Sequence, residues 1–305
     1  MKITLLGSLG HINQYVIPAL VKAGHEVTVI THSDKRVDQI KKLGAIPAVG
    51  SMDDEPFLTK QFTGADVVYL MLSGMSSDPL NAAKTQGQVF YQATKAAGVK
   101  NIVDLSSIGA DRPYEMVGTL SFYHYIEDAL SQLKDVNITF VRPVGFYSNL
   151  FSSIAMIKQQ KQLVSTIPAD IKREFVSPQD IAETVTALLL NTPKGHNVRY
   201  VVSDEATGQE FLEGLQKELN MPELKYVTIT DEQFEAALIK QGMPKSVAEG
   251  FTIMTKSQRT PEESYADLRA HQPKFGKVKL ADFIKIFGAV YRGETEGHAN
   301  TIADK

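Results

Sequence analysis

Six short apolar runs, at residues 2–6, 26–30, 46–49, 67–72, 101–105 and 138–141, alternate with helical patterns at 11–22, 34–43, 54–62, 79–97 and 121–133. Gly24, Gly44, Gly64 and Gly98 each follow the last helical residues. Glycine takes the left-handed conformation that ends a helix at little cost. Regular β-α alternation with such stops restricts the chain to a parallel sheet with right-handed crossovers. The fold this predicts is α/β: a doubly wound parallel sheet, Rossmann-like, with strand order 3-2-1-4-5-6.

The second half has a different grain. Helical stretches at 154–162, 177–190, 207–220, 231–240, 244–255 and 280–291 are mixed with short strand-like runs at 173–176, 198–202 and 225–229. This predicts a second, smaller α+β lobe. The expected division is a nucleotide-binding domain over residues 1–150 plus about 171–203. A small substrate or partner lobe takes about 151–170 and 204–292. Residues 293–305 lack an apolar period and read as a flexible tail.

Composition closes off several classes. Over 305 residues the formal net charge is −3, which argues against a nucleic-acid binder. There is no cysteine, so disulfides, thiol nucleophiles and thiolate metal sites are excluded. His25, His196, His271 and His298 have no metal-ligand spacing, so no metal is expected. Val67-Val68-Tyr69-Leu70-Met71-Leu72 is too short an apolar run to span a bilayer. Gly7, Ser8, Gly10, His11 and Asn13 interrupt the first apolar stretch too early for a signal peptide. A cytoplasmic protein is expected, monomeric or homodimeric.

The first strand runs directly into Gly7-Ser8-Leu9-Gly10-His11-Ile12-Asn13 and then into a helix. Strand, glycine turn and helix in that order present backbone N–H groups to a pyrophosphate, with the helix dipole favouring an anion. A plain left-handed turn without a ligand would use the same glycines. The position directly between strand and helix favours a dinucleotide. Asn13 stands where a third glycine usually allows close helix packing. Its side chain either pushes the helix outward or hydrogen-bonds a phosphate.

The end of the second strand bears on NAD against NADP. An acidic residue there would bind the ribose 2′-hydroxyl. The chain has Thr31-His32-Ser33-Asp34-Lys35-Arg36 instead. Ser33, Lys35 and Arg36 suit a 2′-phosphate, so NADP(H) is favoured over NAD(H). The alternative is a helix start with Ser33 as cap and both cations solvated. Leu72-Ser73-Gly74 after the fourth strand and Ser106-Ser107 after the fifth have the small residues that let a nicotinamide and ribose pass close to backbone.

With these elements in place, the chain resembles the NmrA-like branch of the short-chain dehydrogenase/reductase superfamily. Besides the glycine turn, Leu105-Ser106-Ser107 matches the family's fifth-strand end. His124-Tyr125-Ile126-Glu127 looks like its H-x-x-E, and Arg142-Pro143-Val144-Gly145-Phe146-Tyr147-Ser148-Asn149 like its R-P-x-x-F-x-x-N. Phe175-Val176-Ser177-Pro178-Gln179-Asp180-Ile181-Ala182 is similar to its F-V-x-x-x-D-I-A. The resemblance implies a cofactor site drawing on Gly7 to Asn13, Thr31, His32, Ser33, Ser51, Leu72, Ser73, Ser106, Ser107 and Phe146. It implies a substrate pocket near Tyr147 and Asn149. Three positions depart from the family: Asn13, His32 where relatives often carry an NADP-reading arginine, and Ser51 in place of an acidic residue near adenine. Asp53 and Asp54 follow Ser51 and suit a helix cap.

Typical members of the superfamily use Tyr-x-x-x-Lys on the helix after the fifth strand, the lysine lowering the phenol pKa. Here Glu127 stands four residues after Tyr123, and a carboxylate at that place would raise the phenol pKa. Tyr91 and Lys95 have the spacing but lie on the preceding helix, where they read as packing and solvation. A quinone-like acceptor does not need the dyad, because it can take its proton from solvent. Phe122, Tyr123, Phe146, Tyr147 and Phe151 are candidates for an apolar wall or for packing. Tyr123 and His124 are the candidate catalytic residues, with a structural bond to backbone the alternative for His124. The leading expectation is an NAD(P)H-dependent reductase of a small planar acceptor. The second is a non-catalytic NAD(P)(H) sensor regulating a protein partner. A sugar-nucleotide epimerase comes third, since it needs the dyad.

Overall fold

The computed structural model describes residues 1–72 and 78–295. The strands are β1 (Lys2–Leu5), β2 (Glu26–Thr31), β3 (Ile46–Val49), β4 (Val67–Met71), β5 (Asn101–Leu105), β6 (Asn137–Pro143), β7 (Gly145–Phe146), β8 (Gln162–Ser165), β9 (Lys172–Val176), β10 (His196–Val201), β11 (Asp204–Thr207) and β12 (Lys225–Thr228). The helices of the first half are α1 (Asn13–Lys22), α2 (Val37–Lys42), α3 (Glu55–Phe62), α4 (Pro79–Ala97), α5 (Tyr114–Val117) and α6 (Phe122–Ser131). Those of the second half are α7 (Ile154–Gln160), α8 (Pro178–Leu190), α9 (Gly208–Glu218), α10 (Asp231–Lys240), α11 (Lys245–Ser257), α12 (Pro261–Ser264), α13 (Ala266–Ala270) and α14 (Leu280–Arg292).

One compact unit comprises Met1–Ala110, Phe122–Pro143 and Ile181–Tyr200. It holds a seven-stranded sheet of order β10-β6-β5-β4-β1-β2-β3, the Rossmann-like α/β arrangement the alternation predicts, with one further strand beside β6. The pairings of β1 with β2 and β4, and of β5 with β4 and β6, are parallel. Buried on both faces, β4 reads Val-Val-Tyr-Leu-Met without polar alternation. Gly98 has φ +68° and closes α4, while Asp78 at its start accepts from the Asn81 N–H at 3.1 Å. Helix α6 crosses α4 at Gly87, where a Cβ would stand 2.8 Å from the Tyr125 carbonyl oxygen. Phe62, Phe90, Leu130, Ile138 and Phe140 fill the core beneath these helices. Each side chain so buried contributes about 1.5–3 kcal/mol.

The second unit comprises Asp111–Ser121, Val144–Asp180 and the chain from Val201 on. It has a three-stranded sheet, β11-β9-β7, and a two-stranded parallel pair, β12-β8. Tyr147, Phe175, Phe211, Phe283 and Phe287 form its core. Three strands here differ from the sequence expectation. The helix expected to reach residue 162 stops at Gln160, because Lys161 turns left-handed with φ +57° and frees Gln162–Ser165 to pair with β12. Asp204–Thr207 has weak strand propensity and becomes β11 by antiparallel pairing with β9. Gly145–Phe146 pairs in parallel with β9. Gly293 caps α14 with φ +77°; the expected tail from residue 296 lies outside the described residues, as does Ser73.

Candidate functional site

The glycine turn is built as a ligand cradle would be. Gly7 has φ +89°, and a Cβ there would run into the Met71 sulfur. The Gly10 N–H closes back on the Gly7 carbonyl at 3.0 Å. The turn is tied to both neighbouring strands: Leu6 donates to the Tyr69 carbonyl at 3.0 Å and Ser8 to the Ile30 carbonyl at 3.2 Å. No side chain caps α1, and its first turn carries no acid, which is the arrangement that favours an anion. Ser8, at φ +48°, is a non-glycine residue in left-handed backbone. Its buried Oγ has no protein partner, and neither does Asn13 Oδ1. The uncapped helix end and the unpartnered Ser8 hydroxyl fit a dinucleotide pyrophosphate.

Asn13 turns its side-chain amide into the turn itself. It is 2 % exposed, and its Nδ2 donates to the Leu6 carbonyl at 2.7 Å and the Ser8 carbonyl at 2.9 Å. It laces the turn from inside. His11 accepts from Gln14 Nε2 at 3.0 Å through its carbonyl. Ile12 is buried and Leu9 half-buried.

At the end of β2, Thr31 is buried and donates through Oγ1 to the Ser33 carbonyl at 3.2 Å. Ser33 Oγ accepts from the Lys35 N–H at 3.3 Å, capping a 3-10 turn over Asp34–Arg36. The capping alternative for Ser33 therefore describes its local role. His32 and Lys35 are exposed. Ser51 Oγ accepts from the Asp53 N–H at 3.1 Å, and Asp54 caps α3 by accepting from Phe57 at 3.0 Å. Leu72 is half-buried just beyond β4.

Three motifs that read separately in sequence meet in one buried network. Ser106 Oγ donates to Glu127 Oε1 at 2.5 Å. Arg142 donates to the same carboxylate twice, Nε to Oε1 at 2.9 Å and Nη2 to Oε2 at 2.6 Å, and donates Nη1 to the Tyr200 hydroxyl at 3.1 Å. Burial pulls the guanidinium pKa down, but the Glu127 hydrogen bonds and charge outweigh it and the net shift is upward. Ser106, Glu127 and Arg142 thus form a neutralised scaffold. Glu127 is not the group acting on Tyr123: burial first, then Asp104, raise that phenol's pKa. This corrects the cause expected for the shift. The Tyr123 phenol stays protonated at neutral pH. His124 is exposed, with Nδ1 donating to the Ala110 carbonyl at 2.9 Å. That bond fixes the ring and leaves Nε2 as the nitrogen available to a ligand. Ser107 is buried beside Ser106.

Sequence reasoning missed Asp104. It is buried on β5 with neither carboxylate oxygen hydrogen-bonded. Burial, then Glu127, push its pKa well up. The available signal was an acid inside an otherwise apolar strand, Asn101-Ile102-Val103-Asp104-Leu105.

In the second unit, Phe146 is half-buried on β7 and Asn149 is exposed. Tyr147 lies within the aromatic core, 1 % exposed. It stacks on Phe175 at 5.4 Å and on Phe283 at 4.8 Å between centroids. Its ring is spent on packing, so the structure offers no acceptor surface at Tyr147. Phe151 packs on Phe283 and Phe287 with its ring tilted to both. Asp180 of the F-V-x-x-x-D-I-A motif accepts from Ser203 Oγ at 2.5 Å and from the Lys277 and Val278 N–H groups at 3.0 and 3.1 Å. It clasps the segment leading into α14. No helix among the described residues is long and apolar enough to cross a membrane.

Known proteins resemble this chain over most of its length. An NAD(P)H azoreductase of Xenophilus azovorans is 26 % identical over 254 residues, 81 % of this chain and 84 % of that protein. Among solved structures, an NADPH-dependent quinone oxidoreductase of Escherichia coli complexed with NADPH superposes with a TM-score of 0.75 at 20 % identity, covering 93 % of this chain and 99 % of the other. A triphenylmethane reductase of Citrobacter sp. complexed with NADP(H) gives 0.74 at 19 % identity, with 93 % and 99 % covered. These two superpositions show the shared fold. The NmrA-like family model matches residues 1–272, and the chain belongs to the NmrA-like family.

Proposed function

We propose that this protein is an NAD(P)H-dependent reductase that passes hydride to a small planar acceptor such as a quinone or azo compound, with NADPH the preferred donor. The observation that carries the reading is the uncapped α1 N-terminus behind a positive-φ glycine turn, in a chain similar to an NAD(P)H azoreductase. The turn and the first N–H groups of α1 bind the pyrophosphate. Ser33, Lys35 and Arg36, with no carboxylate at the strand end, accept a 2′-phosphate. Bound NADPH supplies the hydride. Ser106, Ser107 and Leu72 lie at the ends of β5 and β4 and flank the cofactor. Tyr123, protonated at neutral pH, serves as a hydrogen-bond donor rather than a base. His124 offers Nε2 for a hydrogen bond or a proton.

The second reading, a nucleotide sensor acting on a protein partner, rests on a specific observation. Glu127 occupies the usual lysine position and is fully committed to Arg142 and Ser106. Incubation with NADPH and a panel of quinones and azo dyes separates the two. Turnover above background supports the reductase; tight NADPH binding without oxidation supports the sensor. Equal affinity for NADH and NADPH would remove the basis of the cofactor preference.

A further inference from the structure

Strand β9 opens with three charged residues in succession, Lys172, Arg173 and Glu174, and successive side chains on a strand point to opposite faces. Glu174 goes to Arg269, 3.5 Å away. Arg173 goes to the other face, that of Phe175, with its guanidinium carbon 5.0 Å from the ring centroid. Its Nε is buried and has no hydrogen-bond partner. Two other arginines withdrawn from solvent have carboxylates: Arg142 has Glu127 and Arg259 has Asp231. Among the described residues none is paired with Arg173. Across the ladder the acid on this face is Asp204, opposite Phe175, and its carboxylate accepts from the Leu280 N–H at 3.0 Å. Two phenols, Tyr226 and Tyr265, are the polar groups whose field reaches the guanidinium. The Tyr226 hydroxyl already donates to the Ile167 carbonyl at 2.7 Å.

A guanidinium stays charged under such conditions, and burial makes it a poorer place for a proton. Holding that charge without a counter-ion is costly, so an anion that reaches it gains what the fold has left open. The planar fork matches carboxylate and phosphate oxygens, and Phe175 backs the guanidinium.

We propose that Arg173 anchors an oxyanion site on the second unit, taking the carboxylate or phosphate group of a small ligand. The site does not depend on the reductase reading.

The test uses the full chain labelled with ¹⁵N. The Arg173 Nε–Hε resonance is assigned by its loss in Arg173→Met, then followed while sodium benzoate or inorganic pyrophosphate is added. A saturable shift with benzoate identifies a carboxylate site, and one with pyrophosphate a phosphate site. No saturable shift with either overturns the proposal. Because pyrophosphate can also occupy the glycine turn, the Arg173 resonance itself, rather than a global signal, is the readout. In melting curves, unliganded Arg173→Met should match or exceed the wild type while losing the stabilisation by the active anion. A lower unliganded melting temperature with the anion response intact would show that Arg173 serves packing alone. Should the methionine variant not fold, Arg173→Lys keeps the charge and loses the fork, and its affinity for the same anion should fall about tenfold. Unchanged affinity in the lysine variant overturns the proposal.

Discussion

In the first unit Arg142 gives three nitrogens to two partners, and Glu127 gives both oxygens to Arg142 and one to Ser106. In the second unit Arg173 Nε and Glu174 Oε2, on adjacent residues, are both buried without a partner. The contrast follows from topology. Helix α6 and strand β6 bring opposite charges face to face, whereas neighbours on one strand cannot meet. A closed pair of this kind stabilises a scaffold only as a pair. An open one leaves chemistry available to a ligand or to protons. The glycine turn resembles the open case, with an uncapped helix end and two orphaned oxygens on Ser8 and Asn13.

The comparison can be broken from the closed side first. Arg142→Ala leaves Glu127 buried without its cation and should cost about 3–5 kcal/mol in chemical denaturation. A loss below about 1 kcal/mol would mean that the network is not closed. Next comes the open side. Glu174 is pushed up to about 7, by burial before its partly compensating Arg269 pair. Its folded pKa lies above the unfolded value, so its stabilising contribution is complete below the unfolded pKa and is lost as pH rises towards 7. Glu174→Gln does not titrate. Its stability relative to wild type should therefore climb by about 3 kcal/mol between pH 4 and 8. A parallel pH profile for the two proteins would sink the assignment.

Smaller effects probe the turn. Gly7→Ala places a Cβ at φ +89° against Met71. It should cost about 1–2 kcal/mol of stability and weaken NADPH binding by more than the stability loss explains. Asn13→Ala removes two buried donations to backbone carbonyls and should cost about 1–2 kcal/mol, with weakened NADPH binding as the turn loosens. Denaturation and nucleotide titration on the same samples check both.

Much of the first unit was legible in the sequence. Apolar runs marked β1 to β6, glycines with φ +82°, +80°, +80° and +68° marked the helix ends, and the order expected of a Rossmann-like sheet holds for these six strands. Strands β9 and β12 of the second unit were legible too, but β7, β8 and β11 were not, because they exist only through pairing with distant segments. The candidate site was legible as a set of motifs and not as contacts. Glu127 and Arg142 are joined by the packing of α6 against the sheet, which no local spacing encodes. Asn13 looked like a lost glycine because its two acceptors are backbone carbonyls, invisible to side-chain patterns. Tyr147 looked like a pocket wall because an aromatic after β6 suits either a cleft or a core, and only its partners Phe175 and Phe283 decide.

The most direct test of the proposed activity is acceptor-dependent oxidation of NADPH by the full chain, run beside Gly7→Val. The account predicts that the wild type consumes NADPH only when a quinone or azo acceptor is present, and that the folded valine variant does not at the same NADPH concentration. Equal rates in the two proteins, or NADPH held tightly by the wild type without turnover across the acceptor panel, would contradict it.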